Sequence, residues 1–558
     1  MSNPAGLDTP LDTLPQTAAP MARAIVAASI GTAFEWYDFA LYGSLATVLA
    51  AKFFSGVDAG TAFIFALLTF AVGFMIRPLG ALVFGRIGDM IGRKRTFVVT
   101  ICLMGGATIG VGFLPTYASA GIVAPVVLIC LRMIQGLAAG GEYTGALTYV
   151  AEHSPNRRRG LNVSWTTAAA TAGLLISFLV ILAARQLTGE AFDVWGWRLP
   201  FVGSIVMLVV SLALRLRMEE SPVFQQLRRD KRLSKAPIKE TFLDPVNLRR
   251  LLIAFTLCAG ETAMYYLAAL YPTFFLTQTL KVDPKLVNTV VLLATVVCLP
   301  MFPLSGWLCD RIGRKPVFMI GFVVSALLVF PVFHGFVRFA NPALAVAQDS
   351  APITVETDPS ACSLMFNPLG TRRFTSPCDT AKQALATAGV SYRVVEASAG
   401  RRDAVIRVGD STLTTSNSST LTSVEAKAQA ARTAAQLRAL LTAHGYPAQS
   451  DPSNVNAPMV FLLIVVLFAF SIMTVMPIGP ALVEMFPTRI RYTSMSVPYN
   501  LAAGWVGGLL PTFVFAISAQ TGNMFSGLWY PVGWVVVSLI VLIFFFRETR
   551  DVDISAID

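Results

Sequence analysis

Gly85-Arg-Ile-Gly-Asp89-Met-Ile-Gly92-Arg93-Lys94 lies between two strongly apolar segments, and Gly306-Trp-Leu-Cys-Asp310-Arg311-Ile-Gly313-Arg314-Lys315 repeats it 221 residues later. In each copy a glycine is followed four residues on by Asp and then by Gly-Arg-Lys. That order suits a very tight turn between two membrane helices. Glycine lets the backbones approach, Asp accepts from free N–H groups at the start of the next helix, and the basic pair holds the turn on the cytoplasmic side. One copy reads equally well as a plain basic loop; two copies point to an internal duplication.

A second echo supports the duplication and locates an insertion. Glu152-His-Ser-Pro155-Asn-Arg157-Arg-Arg159 and Glu484-Met-Phe-Pro487-Thr-Arg489-Ile-Arg491 share the spacing of Glu, Pro and two Arg, but stand 332 residues apart. The excess over the first interval, 111 residues, must lie between Lys315 and Glu484. The paired turns resemble the signature of the major facilitator superfamily, which recurs between helices 2 and 3 and between helices 8 and 9. The first copy departs from it at Met90, where a basic residue is usual.

Composition agrees with a polytopic membrane protein. Of 558 residues 55% are hydrophobic and only 13% charged, which excludes an ordinary soluble domain. The net charge of +11 reads as basic cytoplasmic loops rather than a nucleic-acid surface. Residues 1–20 lack a basic start before an apolar run, so no cleaved signal is expected.

Apolar runs of about 20 residues, the length that crosses a bilayer, fall near 22–50, 61–85, 96–115, 121–151, 162–184, 198–216, 250–277, 286–308, 316–337, 457–482, 492–518 and 527–546. The expectation is an all-α membrane protein of twelve helices in two six-helix halves. Arg and Lys concentrate in the loops after even-numbered spans, so both tails are expected in the cytoplasm of an inner-membrane protein. The division is then a tail (1–21), the first half (22–217), a basic linker (218–249), helices seven to nine (250–337), an extracytoplasmic insert (338–456), helices ten to twelve (457–547) and a tail (548–558). The linker reads as a solvated connector facing anionic lipid.

The insert has a soluble composition, and α/β structure is expected in it. Pro377–Gly389 and Val424–Gly445 read as helices, Tyr392–Val395 and Ala404–Val408 as strands, and Ser411–Thr422 as a loop. Cys362 and Cys378 bracket 15 residues in an oxidising compartment, and a disulfide between them is expected to contribute about 3 kcal/mol. The other five cysteines lie in or beside apolar spans and read as buried thiols.

Charged side chains within spans cost about 2.5 to 3.5 kcal/mol each on insertion scales, so each is a candidate for function. Glu35, Asp38 and Tyr42 share one face of span one. Arg132, Gln135 and Glu142 form a stripe on span four, beside Tyr143, with Gly136 and Gly140 placed for close helix packing. Arg77 in span two and Glu261, Tyr265 and Tyr266 in span seven complete the set. Arg77 suits an ion pair with Glu35 or Asp38 as well as it suits substrate. None of the three histidines falls at mid-membrane, so Glu35 and Asp38 are the expected proton carriers. Tyr42, Arg77, Arg132, Gln135, Tyr143, Glu261 and Tyr265 are expected to line the substrate cavity. Gly85, Asp89, Gly92, Arg93, Asp310, Gly313, Arg314, Glu142, Glu152 and Glu484 are expected to gate it.

Gly31-Thr-Ala-Phe-Glu35-Trp-Tyr-Asp38-Phe and Arg132-Met-Ile-Gln135-Gly-Leu-Ala-Ala-Gly-Gly141-Glu142-Tyr143 narrow the resemblance to the metabolite:proton symporters, carriers of citrate, 2-oxoglutarate, shikimate, or proline and betaine. The resemblance covers about 22–337 and 457–547, not the insert. It implies a proton-coupled symporter for a small, carboxylate-bearing metabolite, working as a monomer in the lipid bilayer without a cofactor. An uncoupled facilitator or exchanger, or a sensor using the insert, are the alternatives. No Gly-Lys-Ser/Thr phosphate loop, Gly-x-Ser-x-Gly elbow or His/Cys metal spacing suggests an enzyme.

Overall fold

In the computed structural model the described residues are 18–56, 65–66, 69, 71–364, 374–397, 403–554 and 557. Among them ten helices are long and apolar enough to cross a membrane: Arg93–Phe113, Val123–His153, Asn156–Phe192, Arg198–Leu216, Pro245–Ala269, Pro284–Ile312, Arg314–Ala340, Ala457–Met485, Arg491–Thr521 and Ser526–Phe544. They fall on predicted spans three to twelve and are so numbered below. Span one overlaps the helices Ala18–Ser44 and Ala46–Phe53, and the end of span two falls on the helix Arg77–Ile91, which runs six residues beyond it. The parts of span two at 61–64, 67–68 and 70 lie outside the described residues.

Within the first half, span one packs on spans four and five, and spans two and three pack on span four. Small residues let the backbones meet: a Cβ at Gly136 or Gly140 would run into the carbonyls of Gly73 and Arg77 on span two. In the second half, span seven packs on ten and twelve, and nine on ten. Two long crossings join the halves, span two along span eleven and span five along span eight.

The insert follows span nine and therefore lies at the end of the bundle opposite the Gly-Arg-Lys turns. It is a four-stranded sheet in the order β2-β1-β3-β4, formed by β1 (Ile353–Thr357), β2 (Tyr392–Glu396), β3 (Ala404–Val408) and β4 (Ser411–Thr415). β1 runs parallel to β2 and antiparallel to β3. The helix Pro377–Ala388 links β1 to β2, and Ser423–Ala443 follows β4.

The loop expected over Ser411–Thr422 is corrected in its first part. Ser411–Thr415 pairs antiparallel with β3 across the two-residue turn Gly409-Asp410, where Gly409 has φ +53. A Gly-Asp pair between two short runs containing β-branched residues is a hairpin signal, and it outweighs the Ser/Thr-rich composition.

The sheet module is fastened to the second half alone by its described hydrogen bonds. Tyr392 N–H donates to Gly522 O at 2.6 Å, Lys281 Nζ to Thr387 O at 3.0 Å and Ser450 Oγ to Ala340 O at 2.5 Å. Cys362 and Cys378 are bonded, with Cα atoms 5.3 Å apart. Replacing both by Ser should lower the local stability of the module by about 3 kcal/mol. Amide exchange across Pro377–Ala388 measures it, and unchanged protection would contradict the assignment.

Candidate functional site

Span one delivers its two carboxylates to two different arginines. Glu35 Oε1 accepts from Arg77 Nη2 at 2.6 Å, and Arg77 also lies over the ring of Phe39 at 4.3 Å. Asp38 takes Arg132 Nη1 at 3.0 Å, Gln135 Nε2 at 2.8 Å and Thr108 Oγ1 at 2.8 Å. Arg132 packs over Tyr42 at 4.2 Å. All these groups are buried. Sequence reading brought all of them forward except Thr108, a span-three hydroxyl with no charge to mark it.

Glu261 is placed differently. It is buried in span seven, and its one described side-chain partner is the neighbouring Thr262 hydroxyl, at 3.0 Å. Among the described residues no Lys or Arg nitrogen lies within 4.0 Å of it, whereas Glu35 and Asp38 each have one. Tyrosines from both halves surround this region. Tyr143 stacks on Tyr499 at 4.9 Å and shares a hydrogen bond with Thr167, while Tyr265 reaches Thr171 at 3.3 Å. Three acids thus face two arginines in one buried region.

The gating candidates separate into two groups. Glu142 pairs with Arg215 of span six and accepts from Thr100 at 2.8 Å, so it fastens spans three, four and six within one half. Sequence reading missed Arg215, which looks like a boundary charge at the end of its span.

Glu152 and Glu484 instead stand at the centre of two matching networks across the seam. Glu152 binds Arg491 of the other half at 2.9 Å and lies 3.5 Å from Arg93. Glu484 binds Arg159 of the other half at 2.6 Å and Arg314 at 2.9 Å. Each acid also accepts from a hydroxyl, Ser221 at 2.5 Å and Thr549 at 2.6 Å.

The aspartates of the repeated turns do not cap the helix that follows them in sequence; the expectation of a local cap is corrected. Asp89 accepts from Tyr492 and Thr493 N–H, at 3.0 and 2.9 Å, at the start of span eleven. Asp310 accepts from Gly160 and Leu161 N–H, both at 2.8 Å, near the start of span five. The local helix starts are already taken. Glu220 accepts from Arg93 N–H at 3.0 Å, and Glu548 accepts from Arg314 and Lys315 N–H at 2.9 Å. Burial pushes the Glu220 carboxyl above its ordinary value, against the pull of the Ser221, Arg93 and Lys94 N–H groups and the Arg93 charge.

A third echo would have revealed these partners. Glu220-Ser221 closes the first half as Glu548-Thr549 closes the second.

Glycine makes the seam close. Gly92 and Gly313 sit at φ +126 and +105, open to glycine and strained for other residues. Gly160 and Gly306 face each other so tightly that a Cβ on either would stand 2.6 Å from the other's carbonyl oxygen, and one on Gly85 would stand 2.8 Å from Thr493 Cα.

Glu152→Ala leaves Arg491 and Arg93 without their shared acid. It should destabilise the closed seam by about 3 kcal/mol or more. Spin labels at the exposed positions 157 and 311 should then report a longer distance between the halves; an unchanged distribution would contradict the role of Glu152.

Comparison with known proteins agrees with this fold. The profile of the Major Facilitator Superfamily matches residues 28–347, and that of the "Sugar (and other) transporter" family matches 432–558. The glycine betaine/proline/ectoine/pipecolic acid transporter OusA of Dickeya dadantii (strain 3937) is 38% identical over 319 residues, 56% of this chain and 64% of that protein. The match therefore spans just under two thirds of that relative's length. The shikimate transporter of Escherichia coli (strain K12) is 37% identical over 316 residues, 56% of this chain and 72% of that one. Among solved structures, the proton:xylose symporter XylE bound to 6-bromo-6-deoxy-D-glucose superposes with a TM-score of 0.64 at 15% identity, covering 96% of this chain and 98% of its own. With two half-bundles, repeated seam networks and a family profile covering more than half of its length, the chain belongs to the major facilitator superfamily.

Proposed function

We propose that this protein is a secondary active transporter that carries a small carboxylate-bearing metabolite together with a proton, by alternating access. One observation carries the reading: each acid of span one is matched to a single buried arginine. An uncompensated charge is costly in a closed, low-dielectric cavity, whereas a matched pair is tolerated. Such a pair couples two ligands. With the site empty, Asp38 neutralises Arg132, and this pair sets no barrier to tilting. When a solute carboxylate takes Arg132, Asp38 loses its counter-ion and a proton restores neutrality. Solute alone or proton alone leaves one charge unmatched, and that state does not close. Glu35 and Arg77 form a second pair of the same kind.

Gln135 and Thr108 hold Asp38 in place, and Tyr42 shields Arg132. Tyr143, Tyr265 and Glu261 line the region between the halves. Among the described residues no Lys or Arg stands beside Glu261, which favours solutes that also bear a positive centre; that centre would pair with the acid and rest against the tyrosines. The curated relatives fit both statements: shikimate is a carboxylate, and proline and betaine are zwitterions. The two tails face the cytoplasm of the inner membrane in this reading, and the insert lies outside it.

Reconstituted vesicles test the coupling. With one proton per solute, a pH step of one unit should drive about tenfold accumulation, whereas a facilitator would only equilibrate. Asp38→Asn should abolish the accumulation and keep downhill exchange; normal accumulation would remove Asp38 from the proton path. Glu261→Gln should raise the KM for zwitterions by about tenfold, the cost of one charge-assisted contact, and leave the KM for simple organic acids unchanged. Equal effects on both would contradict its assignment to the positive centre.

A further inference from the structure

A cavity of about 570 Å³ opens beside the cytoplasmic part of span two, lined by Arg86, Ala236, Ile238, Lys239, Phe242 and Leu243. Its two basic residues come from opposite sides of the seam. Arg86 belongs to span two of the first half. Lys239 lies on the short linker helix Pro237–Leu243, which the second half holds in place: Glu240 pairs with Arg489 at 3.0 Å and Thr241 Oγ1 meets Ser494 Oγ at 2.9 Å.

Arg86 sits where a soluble protein would not put it. Leu79, Val83, Arg86 and Met90 are all exposed and recur at helical spacing, so they form one stripe turned toward lipid. Arg86 stands five residues before the end of its helix at Ile91, about 7.5 Å along the axis, which places it just inside the face that carries the Gly-Arg-Lys turns. An arginine at that depth extends its guanidinium to the headgroup layer. Across the cavity, Leu243 and Val246 are exposed as well, at 69% and 60%, and continue the apolar rim. Neither Arg86 nor Lys239 makes an ion pair or side-chain hydrogen bond with a described residue, while the arginines of the seam are all matched.

We propose that this cavity binds the headgroup of an anionic phospholipid, its phosphate between Arg86 and Lys239 and its acyl chains along Leu79, Val83 and Leu243. Two unmatched cations suit one phosphodiester, and the apolar rim on both sides suits chains rather than a soluble anion. The site exists as a unit only while spans two and eleven are packed together. A lipid that occupies it therefore holds the cytoplasmic seam closed, by as much as it prefers that state. This requires nothing of the transported solute.

Nanodiscs of phosphatidylcholine with and without phosphatidylglycerol provide the test, using the full chain labelled at positions 157 and 311. Phosphatidylglycerol should enrich the short-distance population of the parent protein several-fold. In Arg86→Gln with Lys239→Gln the enrichment should vanish, and phosphatidylglycerol retained in native mass spectra should fall about fivefold per basic residue removed. Both side chains lie at the surface, so the variant should fold, and an unchanged melting profile checks it. An equal lipid response in parent and variant would overturn the proposal. So would the same enrichment in pure phosphatidylcholine on adding glycerol phosphate or inorganic phosphate, because the site would then serve a soluble anion.

Discussion

Two carboxylates, Asp89 and Asp310, reach across the molecule to the free backbone N–H groups at a helix start in the other half. Each bond pair does two things at once. It satisfies donors that a buried helix start would otherwise leave open, and it ties the two halves together. Behind each aspartate stands an arginine, behind that a glutamate, and behind the glutamate an arginine from the opposite half. The two chains of charge are related by the duplication, so the seam is closed by two copies of one device rather than by a single latch.

This arrangement makes the closed state conditional. Arg93, Arg159, Arg314 and Arg491 are all fully buried, and a buried charge that loses its partner costs several kcal/mol. Opening the seam admits water to both ends of every pair, which offsets most of that loss. The network is stable when complete and dry, stable again when apart and wet, and poor in between. The span-one pairs, Glu35 with Arg77 and Asp38 with Arg132, obey the same rule deeper in the bundle. In the proposed cycle, matching of charge at the span-one pairs sets when the halves can tilt, and matching at the seam sets where they rest.

Much of this was legible in sequence because charges within apolar runs are few. The duplicated turns and the Glu152 and Glu484 echoes followed from spacing, and the insert was located by that spacing together with its soluble composition. The direction of the aspartate bonds did not. Asp89 and Asp310 precede helix starts that look unsatisfied until Glu220 and Glu548 are brought beside them from the ends of spans six and twelve. Both glutamates sit among other charges near linker and tail, where nothing in the periodicity singles them out. Arg215 and Thr108 escaped for related reasons, one lying at the end of its span and the other carrying no charge. In the insert, the β3–β4 hairpin was hidden by composition although its Gly409-Asp410 turn was in view.

Amide hydrogen exchange tests the central claim most directly, because it reads the bonds that the aspartates make. Tyr492 and Thr493 report on Asp89, and Gly160 and Leu161 on Asp310. When conditions drive the seam open, all four amides should lose protection together and to a similar degree. Loss at one aspartate with full protection at the other would contradict a seam built from two equivalent halves of one switch.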